Sequence, residues 1–164
     1  MADMLIKLYE LEFTGSFEAN QKALGIELRK PIGPEKRAII AWVVDRFGNA
    51  WASEVDVALS NQPGTCFIAA KGTKIIGFAC YDATALGFFG PVGVAKSHRK
   101  KGTGRALLTA CLLDMKNKGY GYAVVGGVQD TRFYKNTVGA LEIPDSDPGL
   151  YNTQVKQPQS KHKK

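Results

Sequence analysis

The sequence is poor in the residues that most often build metal sites and nucleophilic centres, with three cysteines and two histidines in 164 residues. Cys66, Cys80 and Cys111 are scattered among apolar neighbours and none forms a C-x-x-C pair. That spacing argues against a zinc site or a disulfide framework and for three reduced core thiols, with no metal expected. His162 falls near the end of the chain, so a Cys/His catalytic pair would have only His98 to draw on. Long apolar runs are also missing. Nothing approaches the ~18 residues of a membrane span, and Met1 to Leu11 carries Asp3, Lys7 and Glu10 where a signal peptide needs an apolar core. A cytoplasmic protein with no membrane partner is expected.

What is present is enough for a core. With 45% hydrophobic and 10% aromatic residues, the chain reads as one domain over residues 1–155 followed by a basic tail, 156–164, expected to be disordered. The net charge of +7 suggests nucleic acid until its location is traced: Lys156, Lys161, Lys163 and Lys164 all follow the last acid, Asp147. A second part of the excess, Lys96, Arg99, Lys100, Lys101 and Arg105, gathers around one glycine-containing turn. So short a cluster, coinciding with glycines, fits a small polyphosphate better than a polynucleotide.

In chain order, Met4 to Phe13 alternates as a first strand, and Phe17 to Leu28 is ambiguous between helix and strand. Gly33-Pro34-Glu35 starts a helix that Gly48 closes, and a second helix runs from about Ala50 to Ser60, where Ser53 and Asp56 are spaced for capping. Cys66 to Ala70 and Ile75 to Tyr81 form a hairpin, and Leu86 to Val94 is the fourth strand. Gly90-Pro91 should bulge or splay that strand, since proline removes a ladder donor, and so free backbone groups of Val92, Gly93 and Val94. A helix from Thr103 to Lys116 buries Leu107, Leu108, Cys111, Leu112 and Met115. Tyr120 to Val128 is the fifth strand, a short helix begins near Asp130, and Leu141 to Ile143 and Leu150 to Val155 supply final strands.

The stretch with most chemical content is Leu86 to Lys118: an apolar strand, the turn Arg99-x-x-Gly102-x-Gly104, then an amphipathic helix. Glycines allow backbone N–H groups close to an anion, and the following helix directs its unpaired N–H groups and the positive end of its dipole to the same spot. The turn lacks the Gly-Lys-Ser/Thr ending of a nucleoside triphosphate loop. It also lacks the third glycine of the dinucleotide fingerprint, that position being Leu107.

Arg99-Lys100-Lys101-Gly102-Thr103-Gly104 resembles the central motif of the GNAT superfamily of N-acetyltransferases, and Phe133-Tyr134 followed by Gly139-Ala140 is similar to its second signature. The likeness covers about Thr65 to Leu141, with only the order of elements similar upstream. It implies a mixed α/β domain of the α+β type, whose mostly antiparallel sheet is flanked by helices and splayed between the fourth and fifth strands. It also implies transfer of an acetyl group from acetyl-CoA to a primary amine of a small molecule or peptide by direct attack. On this resemblance, backbone amides of Lys101, Gly102, Thr103, Gly104 and Arg105 would cradle the CoA pyrophosphate, with charge from Arg99 and Lys100. Val92, Gly93 and Val94 would pair with the pantetheine arm, and Tyr134 would protonate the departing thiolate.

One departure is visible. Many family members carry a glutamate on the strand before the glycine turn, whereas Leu86 to Val94 has no carboxylate. Glu54 and Asp56 are the leading alternatives for the base, followed by Asp82 and Tyr81. Two rival readings remain beside the enzyme: a non-catalytic acyl-CoA-binding regulatory module, and a basic nucleic-acid-binding domain. A homodimer is left open.

Overall fold

The structure is a computed structural model that describes residues 1–159. The tail residues Lys161, His162, Lys163 and Lys164 lie outside the described residues. Seven strands form one sheet: β1 (Met4–Lys7), β2 (Glu27–Arg29), β3 (Cys66–Lys71), β4 (Lys74–Tyr81), β5 (Phe88–Val94), β6 (Tyr122–Val125) and β7 (Leu141–Glu142). Five α-helices accompany it: α1 (Ser16–Ala23), α2 (Lys36–Phe47), α3 (Asn49–Ser60), α4 (Thr103–Asn117) and α5 (Thr131–Val138). Among the described residues no helix is long and apolar enough to cross a membrane.

The strand order is β2-β3-β4-β5-β6-β1-β7, antiparallel throughout except between β5 and β6. Alternation along β4 sorts its side chains by face. Phe78 and Cys80 join Ile39, Val43 and Val55 beneath α2 and α3, while Ala79 and Tyr81 join Leu107, Leu108, Cys111, Leu112 and Met115 of α4. The α4 stripe is fully buried, as its spacing predicts. All three cysteines are free and buried, with Cys66 opposite Cys80 across β3 and β4. Burial pushes the Cys80 and Cys111 thiols up, which keeps them protonated and poorly nucleophilic.

Several expectations change. The first strand stops at Lys7 and turns into a short 3-10 segment, Leu8–Glu10. The ambiguous stretch resolves into α1 and the edge strand β2. That extra strand makes the expected fourth and fifth strands β5 and β6. Leu150 to Val155 forms no strand; Gly149–Thr153 is a 3-10 turn. Ser53 and Asp56 lie inside α3 rather than at its start.

β5 pairs with β6 only at Phe88↔Val124 and Phe89↔Val125 and then leaves it. On its other edge the register with β4 shifts between Ala79 and Tyr81, which face Val92 and Phe89, so the strand bulges at Gly90-Pro91. The bulge re-aims β5 away from β6 and opens the sheet.

An aromatic cluster holds this diverging strand from the α2–α3 side. Phe47 stacks on Trp51 at 5.2 Å and meets Phe78 edge-on at 5.7 Å, and a Cβ on Gly93 would stand 2.6 Å from the Phe47 ring. A methyl group at this position has to displace packed rings. Gly93→Ala is therefore expected to lower unfolding free energy by about 1–3 kcal/mol, measured as a shift of the urea midpoint; an unchanged midpoint would show that the cluster yields freely.

Candidate active site

The cationic turn is built by two left-handed residues, Lys100 at φ 63° and Gly102 at φ 81°, the latter standing at the N-terminus of α4. The first bond into the helix runs from the Ala106 N–H to the Gly102 carbonyl. The preceding amides of Thr103, Gly104 and Arg105 lie in the first turn, where no intrahelical acceptor exists. Arg99, Lys100, Lys101 and Arg105 are exposed, and none makes an ion pair among the described residues. Arg99 is steered by its Nε donating to the Val94 carbonyl at 3.1 Å. Short, cationic and rich in free donors, this turn is suited to a phosphate.

A residue from the ambiguous stretch fixes its shape. Gln21 of α1 is fully buried; its Nε2 donates to the Lys101 carbonyl at 2.8 Å and its Oε1 accepts from the Thr103 hydroxyl at 2.6 Å. One amide thus ties both sides of the glycine turn across 82 positions of sequence. Nothing in the local pattern singles it out, because a lone glutamine on a short helix ordinarily faces water.

Along β5, the Ala95 N–H donates to the Ile76 carbonyl of β4. Strand alternation then turns the backbone groups of Gly93 to β4 and those of Val92 and Val94 to the open side, where β6 has departed. Gly93, expected among the ligand-binding residues, has a packing reason for lacking a side chain.

Tyr134 stands at the point of divergence. Its ring meets Phe89 at 6.3 Å and Phe133 at 5.0 Å, and a Cβ on Gly104 would lie 3.9 Å from Phe133 and from Val94. Phe133 therefore links the start of α4 to Tyr134 in one packed row. Burial foremost, with the Asp130 carboxylate adding to it, pushes the Tyr134 phenol up to about 12. Asp130 also caps α5 by accepting from the Arg132 and Phe133 N–H groups.

Tyr134 lines a cleft of about 1160 Å³ together with Trp51 and Glu54 of α3, the end of β6 and the loop after it from Val125 to Asp130, and Tyr151. The two carboxylates expected on α3 part company. They are two residues apart, roughly 200° around the helix, so Glu54 faces the cleft, where the Thr84 hydroxyl donates to it, while Asp56 is exposed outside it and paired with Lys36 at 2.9 Å. Asp56 therefore stands apart from the cleft that Tyr134 and Glu54 line. The reserve candidates are also committed elsewhere. Tyr81 is buried and donates to Asp114, and Asp82 accepts from the Gly87 N–H and the Tyr120 hydroxyl, both at 2.7 Å.

Thr84, Tyr151 and the buried Asp3 escape notice in the sequence. Asp3 accepts from the Gly127 N–H at 2.8 Å and so sets the Gly126-Gly127 floor of the cleft. The glycine doublet following a strand is the one local signal of that floor. Among the described residues no group of three or more His, Cys, Asp or Glu side chains is arranged to hold a metal.

If Gln21 shapes the turn, Gln21→Leu should lower stability by about 1–3 kcal/mol, the cost of leaving the buried Thr103 hydroxyl and Lys101 carbonyl unpartnered. Chemical denaturation measures it, and a change below a few tenths would assign the turn's shape to its glycines alone.

The model of the acetyltransferase (GNAT) family matches residues 34–139, reaching upstream through α2 and α3, beyond the motifs. No curated protein matches the sequence. Solved structures share the fold. One is a GCN5-related glucosamine N-acetyltransferase region of a fungal multidomain GH3 β-N-acetylglucosaminidase, with TM-score 0.71 and 16% identity over 87% of this chain and 19% of that one. Another is a GCN5-related N-acetyltransferase from Sphaerobacter thermophilus, with TM-score 0.64 and 19% identity over 87% and 48%. A third, from Kribbella flavida, has TM-score 0.55 and 16% identity over 86% and 53%. The chain thus spans about half the length, or less, of the solved proteins it resembles. The matched region contains the strand, the glycine turn, its helix and Tyr134, and on that match the chain belongs to the acetyltransferase (GNAT) family.

Proposed function

We propose that this protein transfers an acetyl group from acetyl-CoA to a primary amine. The observation that carries the reading is the row from the free amides of the glycine turn through Phe133 to a protonated Tyr134, set where β5 leaves β6. A polyphosphate at the turn and a thioester at the divergence would occupy the two ends of that row. The backbone N–H groups of Val92 and Val94 on the open side would pair with the pantetheine arm and hold the carbonyl as charge develops on its oxygen.

In the reaction, the neutral amine attacks the thioester carbon, the C–N bond forms and the C–S bond breaks. Tyr134 gives its proton to the leaving sulfur. Glu54, the carboxylate in the cleft wall, takes the amine's proton directly or through water. Positioning supplies much of the acceleration, since no covalent intermediate with the protein is formed and the donor is held by backbone groups.

Two measurements test this. Thiol release from acetyl-CoA is screened over polyamines, aminoglycosides, amino acids and peptides, with CoA affinity measured by calorimetry; binding without release would leave an acyl-CoA-binding module. Tyr134→Phe should cut turnover about 100-fold, within the range of general-acid contributions, with CoA affinity unchanged. The pH profile carries a sign. The amine must lose a proton, so rate rises with pH, and Tyr134 stays protonated until about 12, so it contributes no fall below that. A basic limb near neutrality that vanishes in Tyr134→Phe would refute its assignment.

A further inference from the structure

The cleft shared by Tyr134 and Glu54 is lined on one side by the chain's own C-terminal segment, Gln154 to Gln157. Among the residues lining it, Lys156 is the only lysine. No ion pair among the described residues holds that amine. From Gln154 to Gln159 the backbone has no regular secondary structure. The segment is exposed and runs along the open side of the cleft, where Lys156 is one of its lining residues.

It is held there by Tyr151. A Cβ on Gly126 would lie 2.5 Å from the Tyr151 hydroxyl and 3.2 Å from its ring, and one on Gly127 would lie 3.7 Å from that ring. The tyrosine thus packs on a floor whose closest approach, at Gly126, leaves no room for a side chain. Lys156 lies five positions beyond this anchor, so at ~3.4 Å per residue its Cα stays within ~17 Å of it. A tether this short keeps the amine at an effective concentration in roughly the millimolar range beside the thioester site.

Resting on the acetyl-transfer reading above, we infer that this protein acetylates its own Lys156 in cis. The neutral Nζ attacks the acetyl carbonyl of acetyl-CoA, forming the N–C bond as the C–S bond breaks. Tyr134 protonates the CoA sulfur, and the proton lost from nitrogen returns through Glu54 and water to the phenolate. Lys156 ends as its Nε-acetyl amide and CoA as the free thiol, with no other reactant consumed. The product keeps the side chain but loses the charge, so the mark replaces an ammonium in the cleft with a neutral amide.

The experiment incubates the full chain with deuterated acetyl-CoA and maps labelled lysines by peptide mass spectrometry over time. One label per chain at Lys156 is expected, with a first-order rate constant unchanged across a tenfold dilution of protein and reduced about 100-fold in Tyr134→Phe. Lys156→Arg should remove that label and leave calorimetric CoA binding unaltered. Three results overturn the inference. The label could spread equally over exposed Lys100 and Lys101 and persist in Tyr134→Phe, marking uncatalysed acylation. Its rate could scale with protein concentration, marking transfer between chains. Lys156 could also stay unlabelled while the amine panel releases CoA, in which case the acetyltransferase reading stands without this site. Failure of CoA to bind would instead remove the reading on which the inference rests.

Discussion

The structure depends on the two-residue contact between β5 and β6. Parallel pairing at Phe88 and Phe89 keeps the sheet continuous, and the loss of pairing beyond them leaves a slot in the middle of a packed domain. An unpaired strand edge inside a protein must be satisfied by water or by a ligand. The slot therefore leaves backbone groups of Val92 and Val94 facing an opening beside the apolar core. The rest of the fold keeps it open: the bulge at Gly90-Pro91 turns β5 aside, and Phe47, Trp51 and Phe78 hold the turned strand from the α2–α3 face.

The two ends of the slot are maintained by different means. At the turn, Gln21 supplies a donor and an acceptor to backbone and hydroxyl partners in a buried site. Such a buried amide is worth keeping only when all its bonds are made. At the cleft, Asp3 does comparable work with one carboxylate: it accepts from Gly127, and the chain beside it pairs Val128 N–H with the Ala2 carbonyl and Ile143 N–H with its own carbonyl. Helix α1 thus shapes the glycine turn, and the first residues of the chain shape the floor of the cleft.

What was legible in the sequence follows from this division. The α4 stripe, the glycine turn and the bulged strand are local in sequence, so periodicity and turn chemistry reveal them. β1 lies between β6 and β7, more than a hundred residues from either partner, and no local pattern states a partner. Gln21 and Asp3 are polar residues whose burial is decided by distant segments. Glu54 and Asp56 look equivalent as letters and differ only by their angle around α3, which takes meaning once α3 is set against the sheet. Leu150 to Val155 reads as a strand by composition, yet Tyr151 is needed over Gly126 and the segment turns instead.

The same division bears on how the chemistry is distributed. Residues that would meet the donor come from one continuous stretch, Val92 to Arg105, together with Tyr134, and their roles rest on backbone amides and one phenol. Residues that line the cleft beside Tyr134 come from α3, the loop after β6 and the C-terminal segment, three elements distant in sequence. Glu54 illustrates the consequence. A carboxylate on β5 would stand next to the thioester by the strand's own geometry, whereas Glu54 reaches the cleft from a helix on the covering layer and is oriented by the Thr84 hydroxyl from the β4–β5 loop. Its position depends on the packing of α3 against the sheet, through Ala52, Val55 and Ala58. Trp51 of the aromatic cluster shares α3 with Glu54, so the packing that holds the diverging strand also holds this carboxylate in the cleft wall.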